Sequence, residues 1–458
     1  MGHCKTLWNW RAITVALALV SLSFVSAARA QAPTPAPTTA QAPAPAPANT
    51  PVTGTTDWDQ WKRNCSSLFT DFAKKIFDCG DSTFTARPFH FLAQSIVPGS
   101  AVGGGGRYSK DLNEAGGAQD QLQATSVITI RQFWMAEVQF SSQRAITGDW
   151  NKSGESFGLN LYVRNRTLPV MTFYGLGPNT NVNNSVKFNQ RDTSAGLDVT
   201  TPFPDVSWLS AGGKLEGLWP SVGGVTGSNV VSITQEYTEA TAPGLATQPP
   251  FIHEQVFLRP HKRVWPRFDI DYNFSYGFYQ DVDTGHYSFR RFEAILDHRF
   301  YPEKKKHGGV IEQNYFFVRW RYSGSYTSGG NVVPFYLQET LGGSDIDNQP
   351  TLRAFKDYRF RGPHLLMVQT EYDRKVCGSC APCKEGIVRT VCSHLGLLLA
   401  YDAGNVAVRS SDLNFANLHQ SFGGGISIYL GKDVVFRMAV ALGGGEGTHS
   451  YFVIPSVL

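Results

Sequence analysis

The sequence predicts an all-β protein whose strands form a transmembrane antiparallel barrel, preceded by a Pro-rich linker and one amphipathic helix. Its 458 residues are 13% aromatic but only 17% charged, and they include 45 glycines, a low charge for a soluble globular domain. After Gly80, no apolar stretch approaches the length of a spanning helix. Segments in which apolar and polar residues alternate recur instead. Such a chain crosses lipid only as a closed barrel, because every backbone polar group must be paired there.

Residues 1–30 predict a secretory signal peptide. Lys5 and Arg11 form its basic start, Ala12–Val25 its apolar core and Ala28–Ala30 its small-x-small cleavage site. An uncleaved anchor is the alternative, although the core is shorter than the ~20 residues that span a bilayer. This leader holds three basic residues and no acid, so the rest of the chain contains 38 Lys and Arg residues and 37 Asp and Glu residues. This near-neutral balance offers no electrostatic basis for binding nucleic acid.

Two segments separate the leader from the predicted barrel. Residues 31–56 are mostly Ala, Pro, Thr and Gln, which predicts an extended linker. Residues 57–80 predict an amphipathic helix, because large apolar residues recur at three- or four-residue steps. These residues are Trp58, Trp61, Cys65, Leu68, Phe72 and Ile76. We expect this helix to pack on the barrel; a helix at the lipid interface or a plug in the lumen are the alternatives.

Residues 84–458 form the predicted barrel. Between 268 and 278, one face carries six Phe, Tyr and Ile residues, while the other carries Asp, Asn, Ser and Gly. The same alternation occurs at 157–164, 316–323 and 436–442. Each segment therefore has a dry and a wet face, as outer-membrane strands do. At roughly 20 to 25 residues per strand and connection, this length allows roughly 15 to 19 strands.

One region resembles a known family. The stretch Pro334–Gly343 (PFYLQETLGG), followed by Leu352–Phe355 (LRAF) and Tyr358–Gly362 (YRFRG), resembles the bacterial surface antigen barrel of the BamA/TamA outer-membrane assembly superfamily. Gln369–Tyr372 and Tyr401–Val406 are similar to the next two strands of that family. The resemblance implies about 16 strands, a cell outer-membrane location, and a long sixth extracellular loop that folds back into the lumen.

The resemblance also implies a contact between that loop and the inner wall. The family's loop arginine corresponds to Arg353 and the wall acids to Glu371 and Asp402; the loop motif adds Leu352, Ala354 and Phe355. The alternation independently predicts that both acids face the lumen, opposite Leu399 and Tyr372. We therefore expect a structural lock, with separate solvated charges as the alternative. The family has glycine where this chain has Ala354, so a glycine-only backbone conformation is excluded there.

Six cysteines follow the leader, an even number in an oxidising compartment, which favours disulfides. They are Cys65, Cys79, Cys377, Cys380, Cys383 and Cys392. Two overlapping C-x-x-C steps also fit a four-thiolate zinc site. Free thiols or redox exchange are the third alternative.

No enzyme motif stands out. Ser194 lacks the leading glycine of G-x-S-x-G, so we expect neither an enzyme nor a cofactor. The resemblance implies insertion or translocation of polypeptides, with outer-membrane lipid and unfolded outer-membrane or secreted polypeptides as partners and no nucleic acid. A passive channel, a structural barrel and a lipid-remodelling role are the alternatives.

The resemblance to this superfamily also implies a weakly paired seam between the first and last strands, which can open. Two features of the sequence predict such a weak seam here. Pro455 lies in the predicted last strand and removes a ladder donor. The predicted first strand runs into Gly103–Gly106, which have no side chains to pack.

Overall fold

The computed structural model describes residues 88–113, 118–145, 156–203, 206–227, 230–302, 314–376, 394–430 and 433–453. In chain order the strands are β1 (Phe89–Gln94), β2 (Gly103–Asn113), β3 (Ala118–Thr129), β4 (Trp134–Ala145), β5 (Ser156–Phe173), β6 (Val186–Phe203), β7 (Val206–Gly224), β8 (Phe251–Trp265), β9 (Phe268–Asp281), β10 (Phe289–Phe300), β11 (Asn314–Tyr326), β12 (Glu339–Leu341), β13 (Phe360–Gly362), β14 (His364–Lys375), β15 (Leu395–Ala407), β16 (His419–Leu430), β17 (Asp433–Leu442) and β18 (Thr448–Val453). One short helix, α1 (Ile233–Glu236), lies between β7 and β8, and 3-10 turns occur at Val182–Asn184, Phe335–Leu337 and Ser410–Asp412.

All strands except β12 and β13 form one antiparallel sheet of 16 strands, in which each strand pairs with the next along the chain. β12 and β13 pair with each other inside the long connection from β11 to β14. The prediction of an all-β barrel of about 16 strands is confirmed. In the part of the chain that the structure describes, no helix is long and apolar enough to cross a membrane.

The burial of this sheet is opposite to that of a soluble barrel. On β15, Leu397 and Leu399 are 56% and 57% exposed, whereas Ala400 and Asp402 are 9% and 1% exposed. On β9, Ser275 is buried while Phe274 and Tyr276 are only half-buried. The apolar faces therefore point outward and the polar faces inward, as the alternation predicted.

The sheet curls around residues 327–363, which we call the inner loop. At one edge of the sheet, Ser95 Oγ accepts a hydrogen bond from Asn348 Nδ2 at 2.9 Å. Near the other edge, Ser421 Oγ accepts from the Ala354 backbone N–H at 2.7 Å. A single loop can reach both flanks only because the sheet is rolled, with the loop inside. The end of the barrel at which this loop joins β11 to β14 is called the loop end.

Two apolar clusters attach the inner loop to the wall. Phe335 of the loop packs on Phe173 and Phe188 with ring centroids 5.1 and 5.3 Å apart. The second cluster joins loop residues to β14, β15 and β17. It contains Leu341, Leu352, Ala354, Phe355, Phe360, Leu365, Met367, Val406 and Ala441.

The expected position of the glycine run is wrong by one strand. Gly103–Gly106 begin β2 rather than β1, and they pair with Gln94 through Phe91 of β1. The six residues of β1, Phe89–Gln94, precede them. The sequence did not indicate this strand, because an alternation of apolar and polar residues this short is weak evidence for a strand on its own. The leader, the linker and the helix predicted over 57–80 lie outside the described residues.

Candidate functional site

Asp402 and Glu371 lie on adjacent strands and face the lumen. Glu371 of β14 pairs with Ala400 of β15, and Gln369 pairs with Asp402. The two acids are therefore diagonal neighbours on one face of the sheet, within reach of a single long side chain.

Arg353 of the inner loop bridges these two acids. Its Nη1 donates to Asp402 Oδ1 at 2.7 Å and its backbone N–H to Asp402 Oδ2 at 3.2 Å, while its Nη2 donates to Glu371 Oε1. The side chains of Arg353, Glu371 and Asp402 are 2%, 7% and 1% exposed. A guanidinium with a donor for each carboxylate can compensate charges that would be costly to bury alone. The structure thus brings together the three residues that the sequence indicated.

The residues next to Arg353 hold this part of the loop against the wall. Leu352 and Phe355 are buried in the second apolar cluster. The φ angle of Ala354 is not positive, and the Ala354 N–H donates a hydrogen bond to Ser421 Oγ. The backbone at this point therefore needs no glycine.

A second arginine, which the sequence analysis did not single out, supports Glu371 from the other side. Arg437 of β17 donates from Nη1 to Glu371 Oε2 and from Nη2 to Asp373 Oδ2, each at 3.3 Å. Arg437 also donates to the Tyr315 hydroxyl at 2.9 Å. The alternation at 436–442 put Arg437 on the inner face, but its partners became visible only in the rolled sheet.

Arg359 joins the inner loop to two other connections at the loop end. Its Nη1 donates to Thr180 Oγ1 and its Nη2 donates to the Thr180 backbone carbonyl, each at 2.5 Å. Its Nε donates to Glu446, in the turn between β17 and β18. This contact links the loop to the last hairpin.

Arg361 is buried and has no carboxylate partner among the described residues. Its Nη1 donates to the Phe335 carbonyl at 2.6 Å, and its guanidinium lies 5.7 to 5.9 Å from the ring centroids of Phe173, Phe188 and Phe335. Burial lowers the pKa of Arg361 to about 10. The backbone of Arg361 also accepts the Gly177 N–H at 2.7 Å. Cation–π contacts replace the missing acid here.

Arg321 of β11 holds the inner loop from the wall. It donates to Glu293 on β10 at 2.8 Å and to two loop acids, Glu339 and Asp345, at 3.0 Å each. Arg291 lies 3.2 Å from Glu339. Arginines on both sides therefore hold the loop in place. Arg353 of the loop binds acids of the wall, and Arg321 of the wall binds acids of the loop.

The remaining candidate site residues do not join this arrangement. Pro455 and the six cysteines, Cys65, Cys79, Cys377, Cys380, Cys383 and Cys392, lie outside the described residues, so the disulfide, zinc and free-thiol alternatives stay open. Within the described ranges, no group of three or more His, Cys, Asp or Glu could hold a metal ion. The site consists of ion pairs and apolar contacts that position a loop.

Fold and site together define a 16-stranded antiparallel barrel with an inner loop held to its wall by arginines. No protein-family model and no curated protein matches the chain. Among solved structures it is similar to BamA from Haemophilus ducreyi lacking POTRA domains 1-3, with a TM-score of 0.50 and 11% identity over 80% of this chain and 69% of that chain.

Two further similar structures are of CdiB. The CdiB of Acinetobacter baumannii has a TM-score of 0.44 and 13% identity over 80% of this chain and 58% of that chain. The CdiB of Escherichia coli has a TM-score of 0.48 and 9% identity over 80% of this chain and 62% of that chain. The chain thus spans less than two thirds of either CdiB chain. At these identities the likeness concerns the barrel fold alone.

Proposed function

We propose that this chain is an outer-membrane β-barrel protein that takes part in the insertion or translocation of polypeptides at that membrane. The outward apolar face and the BamA-like fold support the membrane location. One observation carries the finer proposal: among the described residues, β1 and β18 are each hydrogen-bonded to one neighbour only, β2 and β17. The inner loop lies beside this unpaired seam. The proposal includes no enzymatic step and no cofactor.

The length of β1 favours a seam that opens. β1 has six residues, whereas the adjacent β2 has 11. An edge strand this short can form few hydrogen bonds across the seam. An unpaired strand edge can then accept an incoming strand through its free backbone groups. The inner loop, locked by Arg353, would keep the rest of the lumen wall in place while the seam opens.

Site-specific photo-cross-linking tests this proposal. A photoreactive phenylalanine analogue replaces Phe91 on β1, which is 58% exposed, or Trp219 on β7, which is 50% exposed and serves as the matched control. In cells that export outer-membrane proteins, we expect cross-links from position 91 to unfolded clients and none from position 219. Equal cross-linking at both positions, or none at either, would contradict a client-binding seam.

A passive channel is the second candidate, and the inner wall supports it. Arginine and acid pairs line the lumen, including Arg319 with Asp297 at 2.7 Å and Arg166 with Asp192 at 3.2 Å. Rings of charged side chains are typical of ion-conducting pores. Planar-bilayer conductance that Arg353→Ala leaves unchanged, together with no client cross-link at position 91, would favour the channel.

A further inference from the structure

A cavity of about 710 Å³ lies at the loop end of the barrel, next to the seam. Pro98 and Gly99 of the turn after β1 line it, and so do His449 and Ser450 of β18. Residues 130–133, between β3 and β4, and the inner loop form other parts of its lining. Elements from both edges of the sheet therefore contribute to one cavity.

Three cations from three different elements line this cavity: Arg131 in the turn after β3, Lys187 on β6 and Lys356 in the inner loop. The charges of Lys356 and Arg131 both act on Lys187. Within the described ranges, no ion pair joins any of the three to a carboxylate. Like charges gathered without a counter-ion repel one another, and a bound anion would remove that repulsion.

Two of these cations are oriented by neutral oxygens. Lys187 Nζ donates to Thr172 Oγ1 at 2.6 Å, and Arg131 Nη1 donates to the Gly99 carbonyl at 2.8 Å. Both contacts leave further N–H donors for a ligand. His449 also lines the cavity, and its Nε2 is buried without a hydrogen-bond partner among the described residues.

One acid accompanies the cations. Asp357 lines the same cavity, and its Oδ1 accepts the Ser344 backbone N–H at 3.1 Å. The fourth cation of the lining, Arg353, is neutralised by the two wall acids described above. The balance of the cavity is therefore positive.

Apolar residues form another part of the lining, which bears on the class of anion. They are Pro98, Ile130, Phe133, Val170 and Phe355. Ile130 is 83% exposed and Val170 is 43% exposed. Val170 lies where the pairing of β5 with β6 shifts between Leu168 and Met171. A ligand with an anionic head and an apolar body would cover both kinds of surface.

We propose that this cavity binds a phosphorylated amphiphile, with the phosphate held by Arg131, Lys187 and Lys356 and the start of the apolar body placed on Ile130 and Val170. Planar guanidinium and ammonium donors suit phosphate oxygens. The inference rests on the barrel and its loop and is independent of any polypeptide-inserting activity.

Calorimetric titration of the full chain in a non-ionic detergent tests the proposal. The probes are dihexanoyl phosphatidic acid, inorganic phosphate and dihexanoylglycerol. We expect the phosphatidic acid to bind more tightly than either of the others. The cavity variant Arg131→Gln, Lys187→Gln, Lys356→Gln should weaken this binding roughly tenfold or more, because several charge-assisted hydrogen bonds are lost. A matched control with the same change in charge uses exposed cations outside the cavity, Lys110→Gln, Lys262→Gln and Arg409→Gln, and should bind as the wild type does.

A second variant changes the affinity in the opposite direction and does not depend on the triple variant folding. Asp357→Asn removes the acid while an amide oxygen can still accept the Ser344 N–H, so we expect tighter binding of the phosphatidic acid. Unchanged affinity in both the cavity variant and Asp357→Asn would overturn the proposal. Equal affinity for inorganic phosphate would overturn the amphiphile, and equal affinity for dihexanoylglycerol would overturn the role of the phosphate.

Discussion

Removing the Arg353 guanidinium tests whether the inner loop is locked to the wall. In Arg353→Ala, Asp402 keeps the Gln369 amide at 3.3 Å as a side-chain donor, and Glu371 keeps Arg437 at 3.3 Å. Asp402 is 1% exposed, so its charge would stay buried without a cation beside it. Removing one partner of such a pair costs about 3 to 5 kcal/mol. We expect a loss of that size in the free energy of unfolding, measured by urea titration in detergent micelles.

Further variants separate the lock from a general loss of a positive charge. The double variant Arg353→Ala, Asp402→Ala removes the stranded acid, and together with the single variant Asp402→Ala it completes a double-mutant cycle, in which we expect a coupling energy of about 1 kcal/mol or more. Arg263→Ala is the exposed control, since Arg263 contacts Asp269 at 2.6 Å but is 44% exposed; it should cost about 1 kcal/mol or less. If Arg353→Ala lies within about 0.5 kcal/mol of the wild type and its heat-modifiability is unchanged, the three groups are separate charges and the reasoning is wrong.

Three other outcomes concern the inner loop, each measured by urea or thermal unfolding. Arg361→Met keeps the bulk among the aromatic rings and removes a buried charge that pairs with no acid among the described residues, so stability should stay equal or rise by about 1 kcal/mol. Arg361→Ala should cost about 2 to 5 kcal/mol, and a larger loss with Met than with Ala would refute the packing role. Gly342→Ala should destabilise by at least about 1 to 3 kcal/mol, because φ is +113° and a Cβ would lie 2.4 Å from the Lys356 carbonyl oxygen; a neutral result would show that the loop backbone can relax. Burial raises the pKa of Asp357 from 3.8 to about 6, so the folded state binds this proton more tightly and loses stability as pH rises through that range. Asp357→Asn should therefore gain stability over the wild type at pH 8 and not near pH 4, and an equal gain at both values would exclude this titration.

Much of the fold could be predicted from period-two alternation. A strand with one dry and one wet face carries its orientation in its own residues, so the inward position of Asp402 and the outward position of Leu399 needed no tertiary information. The glycine run was misplaced because Phe89–Gln94 is too short for a reliable alternation, so β1 was missed as a separate strand. The Arg353 contact was predicted because the acids face inward and the loop motif resembles a known one.

The wider set of loop contacts could not be predicted in this way. Arg437 meets Glu371 across 66 residues of sequence and Arg359 meets Thr180 across 179, and no local pattern specifies such distant partners. The pairing exists because the rolled sheet brings strands from both halves of the chain around one loop.

The sequence by itself determined which face of each strand points outward and which points into the lumen, because side chains alternate at every residue of a strand. The tertiary structure alone decided which charges meet inside. The rolling of 16 strands around the inner loop pairs Arg353, Arg321 and Arg437 with acids. It also brings Arg131, Lys187 and Lys356 to one cavity, where none of them forms an ion pair with an acid of the described residues. Partners inside a barrel depend on how the sheet is rolled and not on the neighbours along the chain.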